Sequence, residues 1–190
     1  MKEYIIPSTN FIGAWFIDDK VCDGLISYFD ESPDQGPGEI GQGINEEYKV
    51  STDVAVIPRV KDERIQIYLD TLGRVCDNYI ERYPWCSTNH SGWGINTNFN
   101  IQKYNPGDSY GSEHMEHGKE DFDCKRLLAW MIYLNDIKDK GGTCWPQQNF
   151  TSIPRTGDLY IWPAGWTHSH YGVASPTEIK YIITGWCSFV

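Results

Sequence analysis

Two stretches in the first half of the chain repeat apolar residues at helical spacing. From residue 17 to about 31, Val21, Leu25, Ile26 and Phe29 recur on one face. Asp18 and Asp19 stand where the positive end of a helix favours acids. A second stretch runs from about 61 to 82, with Ile65, Tyr68, Leu69, Leu72, Val75 and Tyr79 on one face, and Pro84 ends it. Between the two, Pro33 to Gly43 is rich in Gly and Pro and predicts a loop. That composition suits a lid, or a plain surface loop.

From residue 92 the period shortens. β-like runs at 95–104, 126–135, 157–163 and 179–189 alternate with Gly, Pro, Asn and Asp, and shorter ones are expected in 50–57 and 166–174. The expectation is one α+β domain over 1–190. Helices support it over about 1–90, and an antiparallel β-core fills about 92–190 as a sandwich or small barrel. In 98–104, Phe99, Ile101 and Lys103 alternate with Asn98, Asn100, Gln102 and Tyr104, so one face is amide-rich and ends in a tyrosine. In 180–186, Lys180, Ile182, Thr184 and Trp186 share a face. A lysine and a threonine there either grip something inside a barrel or form an ordinary solvent-facing side.

Composition narrows the classes. At 190 residues, 40% hydrophobic and 14% aromatic, the chain builds one substantial core. The net charge is −10 and the 16 Lys and Arg are scattered, so no nucleic-acid partner is expected. The cysteines at 22, 76, 86, 124, 144 and 187 form no C-x-x-C pair, which argues against a zinc finger. The N-terminal residues lack a long apolar run, so reduced thiols and a cytoplasmic setting are expected. No stretch approaches a membrane span.

Four of the 5 histidines fall in two clusters, Glu113-His114-Met115-Glu116-His117 and Trp166-Thr167-His168-Ser169-His170. In extended backbone, residues i and i+2 point the same way, so His114 and Glu116 can bind one ion together. A distant histidine would complete two imidazoles and one carboxylate, the facial set of non-haem Fe(II) oxygenases, which leaves positions for an oxo-acid and O₂. An open His₂Glu set also suits zinc hydrolysis.

At this point the chain resembles the prolyl 4-hydroxylase-like branch of the Fe(II)/2-oxoglutarate dioxygenases, over about residues 97 to 190 and most of all its short bacterial and phage members. Gln102 to Gly107 (QKYNPG) resembles the strand and turn before the iron-binding H-x-D/E. Arg126 to Asn135 (RLLAWMIYLN), Gly141-Gly142-Thr143, Gly157 to Gly172 (GDLYIWPAGWTHSHYG) and Lys180 to Trp186 (KYIITGW) resemble four further family elements in the family's order.

The resemblance implies a double-stranded β-helix (jelly-roll, cupin-like) core and hydroxylation of a C–H bond with release of succinate and CO₂. It implies Fe(II) on His114, Glu116 and His170, with Glu116 in place of the commoner Asp. His170 is preferred over His168 because it precedes Lys180 by ten residues, near the family spacing. Lys180 is expected to pair with the far carboxylate of 2-oxoglutarate, with Tyr104, Tyr133 and Thr184 near it. Tyr104 has a plainer reading as a core aromatic at a strand end. Trp186 matches a tryptophan near the iron pocket, and Tyr110, Trp145 and Trp162 are either substrate-side or structural. Cys144-Trp145-Pro146 departs from the family link after G-G-x-T. O₂ is the co-reactant, and ascorbate the expected reductant for oxidised iron. The first expectation for the substrate is a proline-containing peptide or protein. The alternatives are a free amino acid, another small molecule or modified base, and a non-enzymatic β-barrel binding module.

Overall fold

A computed structural model describes residues 2–4, 11–41, 43–87 and 92–190. Its two helices, α1 (Asp19–Glu31) and α2 (Glu63–Arg82), follow the predicted apolar faces. Each starts on an aspartate whose side chain accepts a backbone N–H two residues on, Asp18 from Lys20 and Asp62 from Arg64. Arg64 then ties the helices together through Glu31 at 2.8 Å.

The strands are β1 (Lys2–Tyr4), β2 (Gly13–Phe16), β3 (Gly36–Pro37), β4 (Thr52–Val56), β5 (Trp93–Gly94), β6 (Phe99–Tyr104), β7 (Arg126–Tyr133), β8 (Thr143–Trp145), β9 (Phe150–Thr151), β10 (Asp158–Pro163), β11 (Tyr171–Gly172) and β12 (Lys180–Phe189). The larger sheet runs β1-β2-β10-β7-β12-β6-β4-β3, with β5 beside β12. The smaller runs β11-β8-β9. Bridges between His114 and His170 and between Lys49 and Tyr110, with a bond from the Gly172 N–H to the Tyr110 carbonyl, extend the smaller sheet across the molecule. Two facing antiparallel sheets backed by helices make the α+β double-stranded β-helix.

The N-terminal part is less purely helical than expected. β2 enters the larger sheet beside β10, with Trp15 opposite Leu159. Four residues reading GAWF are too short to show a period of two, which is why the pattern hid this strand. The predicted strand at 166–174 is a 3₁₀ turn (Trp166–His168) followed by the two-residue β11.

The larger sheet buries its outer face under the helices. Leu25, Phe29, Tyr68, Leu72, Val75 and Tyr79 meet Trp15, Phe99, Ile101, Trp130, Ile132, Leu159 and Ile183, all almost fully buried. Gly185 serves this packing. A Cβ there would stand 2.2 Å from the Trp130 ring, so only glycine lets the indole lie across β12. The inner face is different. Asn100, Gln102, Tyr104, Met131, Lys180, Ile182, Thr184 and Trp186 turn toward the smaller sheet and line a cavity of about 480 Å³.

Candidate metal and cosubstrate site

The cavity holds a three-donor cluster. His114, Glu116 and His170 each offer one ligand atom, and these atoms lie within 4.8 Å of one another. The bridge between His114 and His170 explains how residues so far apart in sequence meet, since the N–H of each donates to the carbonyl of the other at 2.9 Å. The N–H groups of Glu116 and His117 both donate to the Ala164 carbonyl, which pins the carboxylate segment to the end of β10.

The imidazoles are oriented by the backbone. His114 Nδ1 lies 2.8 Å from the Ser112 carbonyl, and His170 Nδ1 lies 3.0 Å from the His168 carbonyl. A carbonyl only accepts, so Nδ1 donates in both and Nε2 is turned inward. The two Nε2 atoms stand 3.7 and 3.3 Å from Glu116 Oε1. Tyr110 stacks on His114 at 3.8 Å between ring centres, and Trp162 meets His170 edge-on at 5.0 Å.

Glu116 is held on its other oxygen. Trp186 Nε1 donates to Oε2 at 2.8 Å, and Arg126 lies 3.6 Å from the same atom. Burial by itself raises the Glu116 pKa, but the facing His114 and His170 outweigh it and keep the carboxyl well below the ordinary range. The carboxylate therefore stays charged at neutral pH. Two inward imidazoles and a charged carboxylate fit a divalent ion such as Fe(II).

At another part of the wall, Lys180 is 3% exposed. Its ammonium donates only to the carbonyls of Gly141 and Val173, each at 3.2 Å, and lies 4.8 Å from the Tyr104 ring centre. No carboxylate faces it among the described residues. Burial pushes its pKa down to about 8. A buried cation short of a counter-charge fits the far carboxylate of a dicarboxylate. Tyr104 shares this wall and donates to Gln102 Oε1 at 3.0 Å, and Thr184 lines it two inward-facing positions further along β12, beyond Ile182. Tyr133 stands apart. It does not line the cavity, and its hydroxyl contacts Ser152 at 2.7 Å and Thr143 at 3.1 Å. Thr143 itself lines the cavity.

His168 is buried in the 3₁₀ turn, with Nδ1 at 3.0 Å from the Thr167 hydroxyl, and lies outside the donor cluster. His90 falls outside the described residues. Of the undecided aromatics, Trp145 is fully buried behind the cavity, whereas Tyr110, Trp162 and Trp186 line it.

Sequence reasoning missed Arg126, whose guanidinium lies 3.6 Å from the centre of the Trp186 ring. It also missed Lys49, which lines the cavity paired to Asp53 at 2.6 Å and donates to the Glu39 carbonyl. Neither carried a signal, because a lone basic residue at a strand end is ordinary. Glu39, Ile40, Gly41 and Gly43 of the Gly/Pro loop also form part of the wall.

Residues 99–188 match the family described as the 2OG-Fe(II) oxygenase superfamily. Over those residues the chain is similar to 2OG-Fe(II) oxygenases. The viral collagen prolyl hydroxylase of Paramecium bursaria Chlorella virus-1, solved with 2OG, is similar at 19% identity and a TM-score of 0.69, over 95% of this chain and 97% of that one. A Pseudomonas putida prolyl-4-hydroxylase gives 16% identity and a TM-score of 0.74, over 95% and 94%. A Trichoplax adhaerens prolyl hydroxylase, solved with a hypoxia inducible factor peptide fragment, gives 17% and 0.71, over 95% and 84%. At such identities these likenesses show that the chain has the fold of prolyl hydroxylases. No curated protein matches the sequence. No helix of the described residues is long and apolar enough to cross a membrane.

Proposed function

We propose that the chain acts as a single dioxygenase domain that hydroxylates proline, at its 4-position, in a proline-containing peptide or protein. In this reading His114, Glu116 and His170 hold Fe(II), and Lys180 anchors 2-oxoglutarate. The observation that carries it is one cavity containing both the three-donor cluster and a buried ammonium without a counter-charge. When bound, iron with 2-oxoglutarate and O₂ supplies the oxidation that converts C–H to C–OH and releases succinate and CO₂.

The chain's own residues supply position. The carbonyls of Ser112 and His168 fix the imidazole rings, and Trp186 fixes Glu116 by its indole N–H. Lys180 binds the far carboxylate, while Tyr104 and Thr184 shape the wall beside it. Tyr133 acts through Thr143, holding that wall residue in place. The Gly/Pro loop at 33–43 reaches the mouth, where it can cover a bound segment. The peptide substrate is supported by the prolyl hydroxylases that share the fold, one of them solved with a peptide. Six free cysteines suit a reducing cytoplasm.

The test is 2-oxoglutarate turnover to succinate under air, with Fe(II) and ascorbate, with and without proline-rich peptides, beside His170→Ala. Peptide-stimulated succinate with +16 Da on proline, both lost in the variant, is the expected outcome. Turnover without peptide oxidation would discard the proline substrate and keep the oxygenase.

A further inference from the structure

Asp123 stands in the cavity wall, on the segment between Glu116 and β7. Its Oδ1 is buried and has no hydrogen-bond partner among the described residues. Native proteins leave few such atoms, because a buried acceptor without a donor costs free energy. Arg126 does not supply the donor. One of its guanidinium nitrogens donates to the Glu116 carbonyl at 2.9 Å, and the group lies over Trp186. Gly118 leaves room for this carboxylate, since a Cβ there would stand 2.1 Å from Asp123 Oδ2.

The surroundings are apolar and acidic. Met115 and Phe122 line the same cavity and are 49% and 53% exposed. Glu39 lines the mouth as well. Lys49 is matched by Asp53 and Arg126 by Glu116. Among the described residues, Asp123 and Glu39 are the acids of this wall with no basic group within 4.0 Å, although Arg126 lies in electrostatic reach of Asp123.

We propose that this part of the mouth is a subsite for a lysine or arginine side chain of the substrate. The aliphatic stem lies against Met115 and Phe122, and the cationic head pairs with the Asp123 carboxylate. Long basic side chains divide in this way between apolar and polar neighbours. The substrate class is then a proline-containing segment with a basic residue near the target, and the chain's net charge of −10 favours its approach. This rests on reading the cavity as a peptide site.

The test uses fluorescent proline-centred peptides in which a single lysine is walked through the flanking positions, each beside its norleucine counterpart. Binding to the Fe(II)- and 2-oxoglutarate-loaded protein is measured without oxygen by anisotropy. At one position lysine is expected to bind roughly tenfold tighter than norleucine. Asp123→Asn should bring the ratio close to one, Asp123→Glu should restore most of it, and melting curves check that both variants are folded. Equal binding of lysine and norleucine at every position overturns the proposal. So does a preference that survives Asp123→Asn, or no binding of any peptide. Oxidation by mass is followed in parallel. A lysine preference without proline oxidation sinks the proline reading alone, and proline oxidation without a lysine preference sinks this proposal alone.

Discussion

The two faces of the larger sheet are made by the same strands and do opposite things. On β12, Ile183 and Cys187 face the helices and are fully buried, while Lys180, Thr184 and Trp186 line the cavity. On β6, Phe99 and Ile101 face the helices, while Asn100, Gln102 and Tyr104 face inward. The helix side is dry and closed by aromatic contacts such as Phe99 on Trp130 at 5.5 Å. The inner side keeps a buried cation and a carboxylate held among imidazoles. One face uses alternation for dense packing, and the other gathers polar and charged groups around the cavity.

The widest separation between the faces comes from His170→Ala. It should abolish iron-dependent succinate formation and iron binding by the purified protein while leaving the fold melting cooperatively. Retained iron-dependent turnover would remove His170 from the ligand set.

Lys180 gives the next largest effect. Lys180→Met should raise the 2-oxoglutarate KM by roughly two to three orders of magnitude, because a buried ion pair loses one partner. It should also stabilise the ligand-free protein by about 3 kcal/mol, the cost implied by a pKa lowered from 10.5 to about 8. The pH dependence follows. The folded protein releases this proton near 8 and the unfolded chain near 10.5, so stability from this group rises with pH between those values. Affinity for 2-oxoglutarate needs the ammonium and should fall as pH rises above about 8. A 2-oxoglutarate affinity that stays level or strengthens across that range would take Lys180 out of the role.

Trp130→Ala tests the other face and should do the reverse. It should cost roughly 3–5 kcal/mol in denaturant unfolding. The KM for 2-oxoglutarate should be little changed below the new melting point. A larger effect on KM than on stability would blur the distinction between the faces.

Trp186→Phe should be milder. It removes the N–H bonded to Glu116 and keeps most of the ring. Iron affinity should drop roughly 10–100-fold with little loss of stability. The smallest effect is expected from Tyr133→Phe. About 1 kcal/mol of stability goes with the bonds to Ser152 and Thr143, and the 2-oxoglutarate KM rises less than for Tyr104→Phe. The opposite ranking would put Tyr133, not Tyr104, beside the cosubstrate.

The sequence by itself determined the long helices, the long strands and the sidedness of β6 and β12, because these rest on local period and on caps such as Asp18 and Asp62. His114 and Glu116 were legible as a pair because two residues apart in extended chain share a face. What the tertiary structure decided needed contacts across the chain. The bridge between His114 and His170 brings the third donor in, and β2 joins the larger sheet through a partner far away in sequence. The separation of Tyr104, in the wall, from Tyr133, behind Thr143, depends on how the two sheets face each other. Arg126, Lys49 and Asp123 became visible for the same reason. A single charged residue gains its role from what is packed beside it, and no local pattern records that.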